Sequence, residues 1–185
     1  MAYRDNSSWG DNTNGYDGER WQINDWDFDY YYLTIAFAVA EAGTCINNTL
    51  CGSVIVSKDN RIVSTGYNGV NDIELEDKYE CDKVCNENQY NDWNHKKFCK
   101  GEHAEINAMS NANKNGLSLD GCTIYSTHQP CTMCGRMIGV SGIKKVVYLW
   151  TRPTQWKGMD KLEKRGIDIV QYDVNKFSHE IQKGK

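Results

Sequence analysis

A chain of 185 residues with a net charge of −4, 39% hydrophobic and 25% charged residues is composed like one globular domain with a sizeable core. Its acidic balance supplies no overall basic field, which argues against a nucleic-acid partner. The longest apolar run, Leu33 to Ala40, is far too short to span a membrane. Met1 to Asp25 has no apolar core of a secretory signal. The expectation is therefore a cytoplasmic chain (a host's cytoplasm, if it is viral), where eight cysteines more often mean metal ligands or free thiols than disulfides.

In chain order, residues 1–25 read as a polar leader punctuated by Gly10, Gly15 and Gly18, with Trp9, Tyr16 and Trp21 interspersed. Two readings of those aromatics stand: docking on the domain or a neighbouring subunit, or a mobile tail. The domain spans 26–185. A helix is predicted over 26–42, capped by Asp25 or Asp27 and stopped by Gly43. In it, Tyr30-Tyr31-Tyr32 is expected to pack on a sheet. Strands at 51–57 and 61–67 flank the turn Lys58-Asp59-Asn60. The stretch 68–101 has no clear period and is long for a structureless loop. Then come a helix over 102–114, a strand over 122–127, a helix over 131–141, a strand over 144–150, a short helix near 158–165, a strand over 167–172 and a last helix over 174–182. A hairpin followed by αβαβαβ predicts a mixed five-stranded sheet in a three-layer αβα arrangement, with the last two strands parallel. Lys144-Lys145 reads as a charged strand edge.

The chemistry concentrates in His103-Ala104-Glu105 and Pro130-Cys131-Thr132-Met133-Cys134. One imidazole and two thiolates make a three-ligand zinc set that leaves a position for water. Both cysteines are expected in the first turn of a helix, where the free N–H groups favour thiolate, and Pro130 suits such an entry. Glu105, two residues after the imidazole, can move protons beside the metal without ligating it. A lone C-x-x-C is shared with zinc ribbons and redox motifs. The H-x-E…P-C-x-x-C combination is the pattern of zinc-dependent base deaminases, which attack an amidine-like ring carbon bearing an amino group. A purely structural zinc, or a buried cysteine pair, is the alternative.

On four stretches the chain resembles the cytidine and deoxycytidylate deaminase superfamily, nearest to its deoxycytidylate (dCMP) branch. They are Cys51 to Gly69, ending Gly66-Tyr67-Asn68-Gly69; His103 to Ala108; Tyr125 to Cys134; and Ser141 to Tyr148. The likeness covers about residues 26–172. It implies the cytidine-deaminase-like fold, catalytic zinc on His103, Cys131 and Cys134, and Glu105 as proton carrier. It also implies that Asn68 and the backbone N–H of Ala104 contact the nucleotide; read without the family, Gly66 to Gly69 is as well explained as a tight turn. The implied substrate is dCMP, in a homohexamer regulated by dCTP and dTTP with Mg²⁺ on the triphosphate. The chain departs from the family at Cys45-Ile46-Asn47-Asn48, which lacks a basic residue, and at Val70-Asn71-Asp72, where relatives often carry Pro or a small residue.

Cys45, Cys81, Cys85 and Cys99, with His95 as substitute, resemble the second, structural zinc site of some relatives; free thiols are the alternative. His128 is placed either lining the pocket or facing solvent. The rival functions are another zinc deaminase, acting on tRNA adenosine or a free base, and a zinc-stabilised binding module without turnover. An RNA substrate calls for a basic approach surface that the composition does not advertise.

Overall fold

The computed structural model describes residues 27–45, 49–69, 101–151 and 159–183. The predicted leader, and Cys81, Cys85, His95 and Cys99, lie outside them.

Asp27, not Asp25, caps the first helix α1 (Phe28–Ala40), its carboxylate accepting the Tyr30 N–H. Strand β1 (Gly52–Val56) turns through Asn60, which takes positive φ, into β2 (Ile62–Tyr67). After residue 101 come α2 (Ala104–Lys114), β3 (Thr123–His128), α3 (Thr132–Ser141) and β4 (Lys145–Trp150). They are followed by α4 (Met159–Glu163), β5 (Asp168–Gln171) and α5 (Val174–Lys183). Each predicted element is present, with ends moved by one to two residues.

The sheet order is β2-β1-β3-β4-β5. β1 is antiparallel to β2 and β3, while β3, β4 and β5 run parallel. The parallel pairing expected for the last two strands therefore extends to β3. β4 is interior, which corrects the reading of Lys145 as a strand edge: its ammonium pairs with Asp29 at 3.0 Å.

Period-two alternation divides the core between two layers. Ile55, Ile124, Val146 and Tyr148 pack with Ala108 and Met109 of α2, Ile138 of α3 and Leu162 of α4. Val54, Val56, Tyr125, Val147 and Leu149 pack with Tyr32, Leu33 and Ala36 of α1 and Phe177 of α5. Tyr32 thus meets the sheet as predicted, whereas Tyr31 is exposed. In this second layer the Tyr125 hydroxyl donates to Asp29 at 2.9 Å and the Tyr172 hydroxyl to Asp27 at 2.6 Å, tying the start of α1 across the sheet.

Two glycines bring helices against strands. A Cβ on Gly52 would fall 1.9 Å from the Ala36 carbonyl oxygen in α1. One on Gly66 would fall 2.2 Å from the Ala108 nitrogen and 2.5 Å from the Ala104 oxygen in α2. These are backbone atoms with no rotamer to yield. Gly66→Ala is expected to lower stability by about 1–3 kcal/mol, read as a lower denaturant midpoint at unchanged slope. It is also expected to displace the start of α2, where His103 is the N-cap and Glu105 lies in the first turn.

Candidate active site

α2 and α3 both begin at the carboxyl ends of the strands, where open α/β sheets place ligands. Gly69 pairs with Glu102 in an isolated antiparallel bridge, setting residue 103 beside the end of β2. Three polar side chains fix α2 on that strand. Ser64 Oγ donates to the Ala108 oxygen at 2.7 Å, Asn107 Nδ2 to the Tyr67 oxygen at 2.6 Å, and Asn111 Nδ2 to the Thr65 oxygen at 2.9 Å. The motifs do not single out Asn107 and Asn111. The signal was present: two asparagines four apart in a helix interior, against propensity, mark a polar stripe with a partner.

His103 is the N-cap of α2, in extended conformation, and Cys131 is the N-cap of α3. Cys131 thus lies just before the first helical turn rather than within it. Its sulfur accepts the Cys134 N–H at 3.5 Å, as a capping oxygen would. His103 Nδ1 stands 3.3 Å from Cys134 Sγ and 3.4 Å from Cys131 Sγ, and the sulfurs are 3.5 Å apart. All three donor atoms lie within 4.8 Å of one another, the one such trio of His, Cys or carboxylate donors among the described residues. Glu105, only 5% exposed, accepts from the Cys134 thiol at 3.5 Å through Oε2.

The two thiols do not behave alike. Cys131 is held well below the usual thiol range, chiefly by its hydrogen bond with Cys134, with His103 and the Cys134 N–H adding and burial opposing. Cys134 is pushed up by that same hydrogen bond, then by burial and by the Glu105 carboxylate. Cys131 is thus the readier thiolate of the two, and a cation bound between the sulfurs would supply the charge that lets both ionise. One borderline nitrogen and two soft sulfurs converging in a buried site fit Zn²⁺.

Of the remaining predicted residues, Ala104 is fully buried as the first residue of α2, where backbone N–H groups have no partner within the helix. Asn68 sits at the end of β2 and is buried; its Oδ1 accepts the Cys51 N–H at 2.6 Å and its Nδ2 donates to the Thr49 oxygen at 3.0 Å. It thus ties the α1–β1 connection to the strand end, with one donor hydrogen and one lone pair beyond those bonds. Cys45 is half-buried in that same connection.

The family model described as the cytidine and deoxycytidylate deaminase zinc-binding region matches residues 27–150. The deoxycytidylate deaminase of Enterobacteria phage T4 is 32% identical over 80% of this chain and 93% of its own. The deoxycytidylate deaminase of Homo sapiens is 33% identical over 64% and 62%. The dCMP deaminase of cyanophage S-TIM5, solved in complex with dCMP and dUMP, superposes with a TM-score of 0.59 at 27% identity, covering 77% of this chain and 94% of that one. With the αβα layering, the zinc-compatible trio and these matches in agreement, the chain belongs to the cytidine and deoxycytidylate deaminase family.

Proposed function

We propose that the protein catalyses zinc-dependent hydrolysis of dCMP to dUMP and ammonia, supplying thymidylate synthesis. The observation that carries this reading is the convergence of half-buried His103 on buried Cys131 and Cys134, with Glu105 in contact. His103, Cys131 and Cys134 hold the metal, and zinc bound there supplies Lewis-acid activation of a water nucleophile. Glu105 takes a proton from the attacking water and delivers it to N3 of the cytosine ring. The C4–N bond then breaks as Glu105 passes a proton to the leaving amine, so that water and dCMP become dUMP and ammonia. The Ala104 N–H donates to the cytosine carbonyl, holding C4 over the site, and Asn68 positions the sugar side of the nucleotide.

Sequence resemblance supports several extensions of the reading. Residues 26–185 act as one domain, in a cytoplasmic homohexamer activated by dCTP and inhibited by dTTP, each with Mg²⁺. A second, structural zinc sits on Cys45, Cys81, Cys85 and Cys99. Elemental analysis of purified protein is expected to give two zinc per chain; one zinc per chain removes the second site and leaves the first.

The function is tested by ammonia release from dCMP, dCTP, deoxycytidine and a tRNA anticodon stem under identical conditions. Highest turnover on dCMP is expected. Preference for the anticodon stem points to an RNA deaminase instead, and release from none of them by zinc-loaded protein points to a binding module.

A further inference from the structure

The two halves of the proposed pocket come from segments far apart in sequence. Asn68 directly follows β2, while His103, Ala104 and Glu105 open α2, and 35 positions separate Asn68 from His103. The reaction proposed above needs both halves at once, with Asn68 on the sugar side and the α2 residues at C4 of the base.

Two anchors join these segments, and they bracket the functional residues on both. On one side Gly69 and Glu102 exchange backbone hydrogen bonds, the Gly69 N–H donating at 3.1 Å and the Glu102 N–H at 3.0 Å. On the other, Asn107 Nδ2 donates to the Tyr67 oxygen at 2.6 Å, the one hydrogen bond its side chain makes among the described residues. Asn68 lies between Tyr67 and Gly69, and His103, Ala104 and Glu105 lie between Glu102 and Asn107. The Asn107 N–H also donates to the His103 oxygen at 2.9 Å, closing the turn that begins at the metal-site histidine. Asn107 is only 5% exposed, and a Cβ on Gly66, next to Tyr67, would fall 2.8 Å from its carbonyl carbon. Ser64 and Asn111 bond α2 to β2 farther from the strand's end, so Asn107 is the α2 side chain that reaches nearest to Asn68 along the strand.

We propose that Asn107 is a positioning residue: through Tyr67 it fixes the spacing between Asn68 and Glu105, and so the alignment of C4 with the attacking water. This rests on the dCMP reading above and on the sugar contact given there to Asn68. Without the Asn107 amide each half of the pocket keeps its own polar groups, so a nucleotide still binds. What suffers is their simultaneous alignment, and a misplacement of about 1 Å at the reacting atoms costs up to about 10²-fold in rate. Asn111, one turn further along α2, donates to the Thr65 oxygen at 2.9 Å. It makes the same kind of bond to the same strand but lies outside the bracket, which makes it the matched control.

The test compares zinc-loaded wild type, Asn107→Ala, Asn107→Ser and Asn111→Ala by turnover of dCMP, binding of dUMP, zinc content and denaturant midpoint. Both Ala variants are expected to lower the midpoint, each having lost one hydrogen bond between helix and strand. Both Asn107 variants are expected to lose about ten- to a hundredfold in kcat, with zinc content unchanged and dUMP affinity within about threefold of wild type. Asn111→Ala is expected to keep kcat within about threefold. Ser keeps a polar group in the buried position but is shorter than the amide, so it reports on kcat even if Asn107→Ala folds poorly. A wild-type kcat in a folded Asn107 variant, an equal kcat loss in Asn111→Ala, or dUMP affinity or zinc falling in step with kcat overturns the assignment. Failure of both Asn107 variants to fold overturns it too, by making the residue a purely structural one. Zinc-loaded wild type that releases no ammonia from dCMP sinks the underlying reaction instead.

Discussion

Glu105→Gln is expected to lower kcat on dCMP by about 10²–10⁴-fold while the protein keeps its zinc and its fold. The side chain is buried in the first turn of α2, with Oε2 against the Cys134 thiol. Gln fills the same space and accepts that same hydrogen bond through its amide oxygen, so neither packing nor the metal trio loses a contact. What it loses is the ability to take a proton from water and return it to N3 and to the departing amine. Glu105→Asp keeps the carboxylate but withdraws it by one methylene, and an intermediate rate is expected. Full activity in Glu105→Gln at normal zinc content contradicts the role given to this carboxylate. Loss of zinc in that variant contradicts the view that Glu105 stands beside the metal without holding it.

Cys134→Ala is expected to abolish stoichiometric zinc binding, reduce turnover on the order of 10³-fold or more, and lower the melting temperature by several degrees. Cys134 is fully buried, and its sulfur lies within 3.5 Å of His103, Cys131 and Glu105 alike. Its removal leaves two metal donors and a small void at the start of α3. Chelated wild type separates the two effects: it keeps the sulfur, loses the metal, and regains activity when zinc is returned. Cys134→Ala does not regain activity on adding zinc. A variant that binds zinc as tightly as wild type shows that the ligand set lies elsewhere.

Much of this was legible in the sequence because it is local. Asp27 before an apolar run, Lys58-Asp59-Asn60 between two β-rich runs, and the two metal motifs opening successive helices are each set within a few residues. The donor trio follows once both helices begin at the same end of the sheet. What escaped depends on contacts between segments distant in the chain. Lys145 looked like a strand-edge charge because its partner, Asp29, is 116 residues earlier. Asn107 and Asn111 carried no meaning until β2 lay against α2 and offered the carbonyls of Tyr67 and Thr65. His128 left two readings open because its surroundings come from β1 and β4. Cys131 differed by a single residue, from first turn to N-cap, since a sulfur serves there where Ser, Thr, Asp or Asn is usual.

The proposed chemistry requires a metal held by His103, Cys131 and Cys134 with a position left for solvent. X-ray absorption at the zinc edge of protein with Cys45 replaced by Ser, loaded with one zinc per chain, tests it most directly. Two sulfur neighbours, one imidazole nitrogen and one light-atom neighbour that changes when a nucleotide inhibitor is added are expected. Four neighbours that all come from the protein, insensitive to any added ligand, would contradict it.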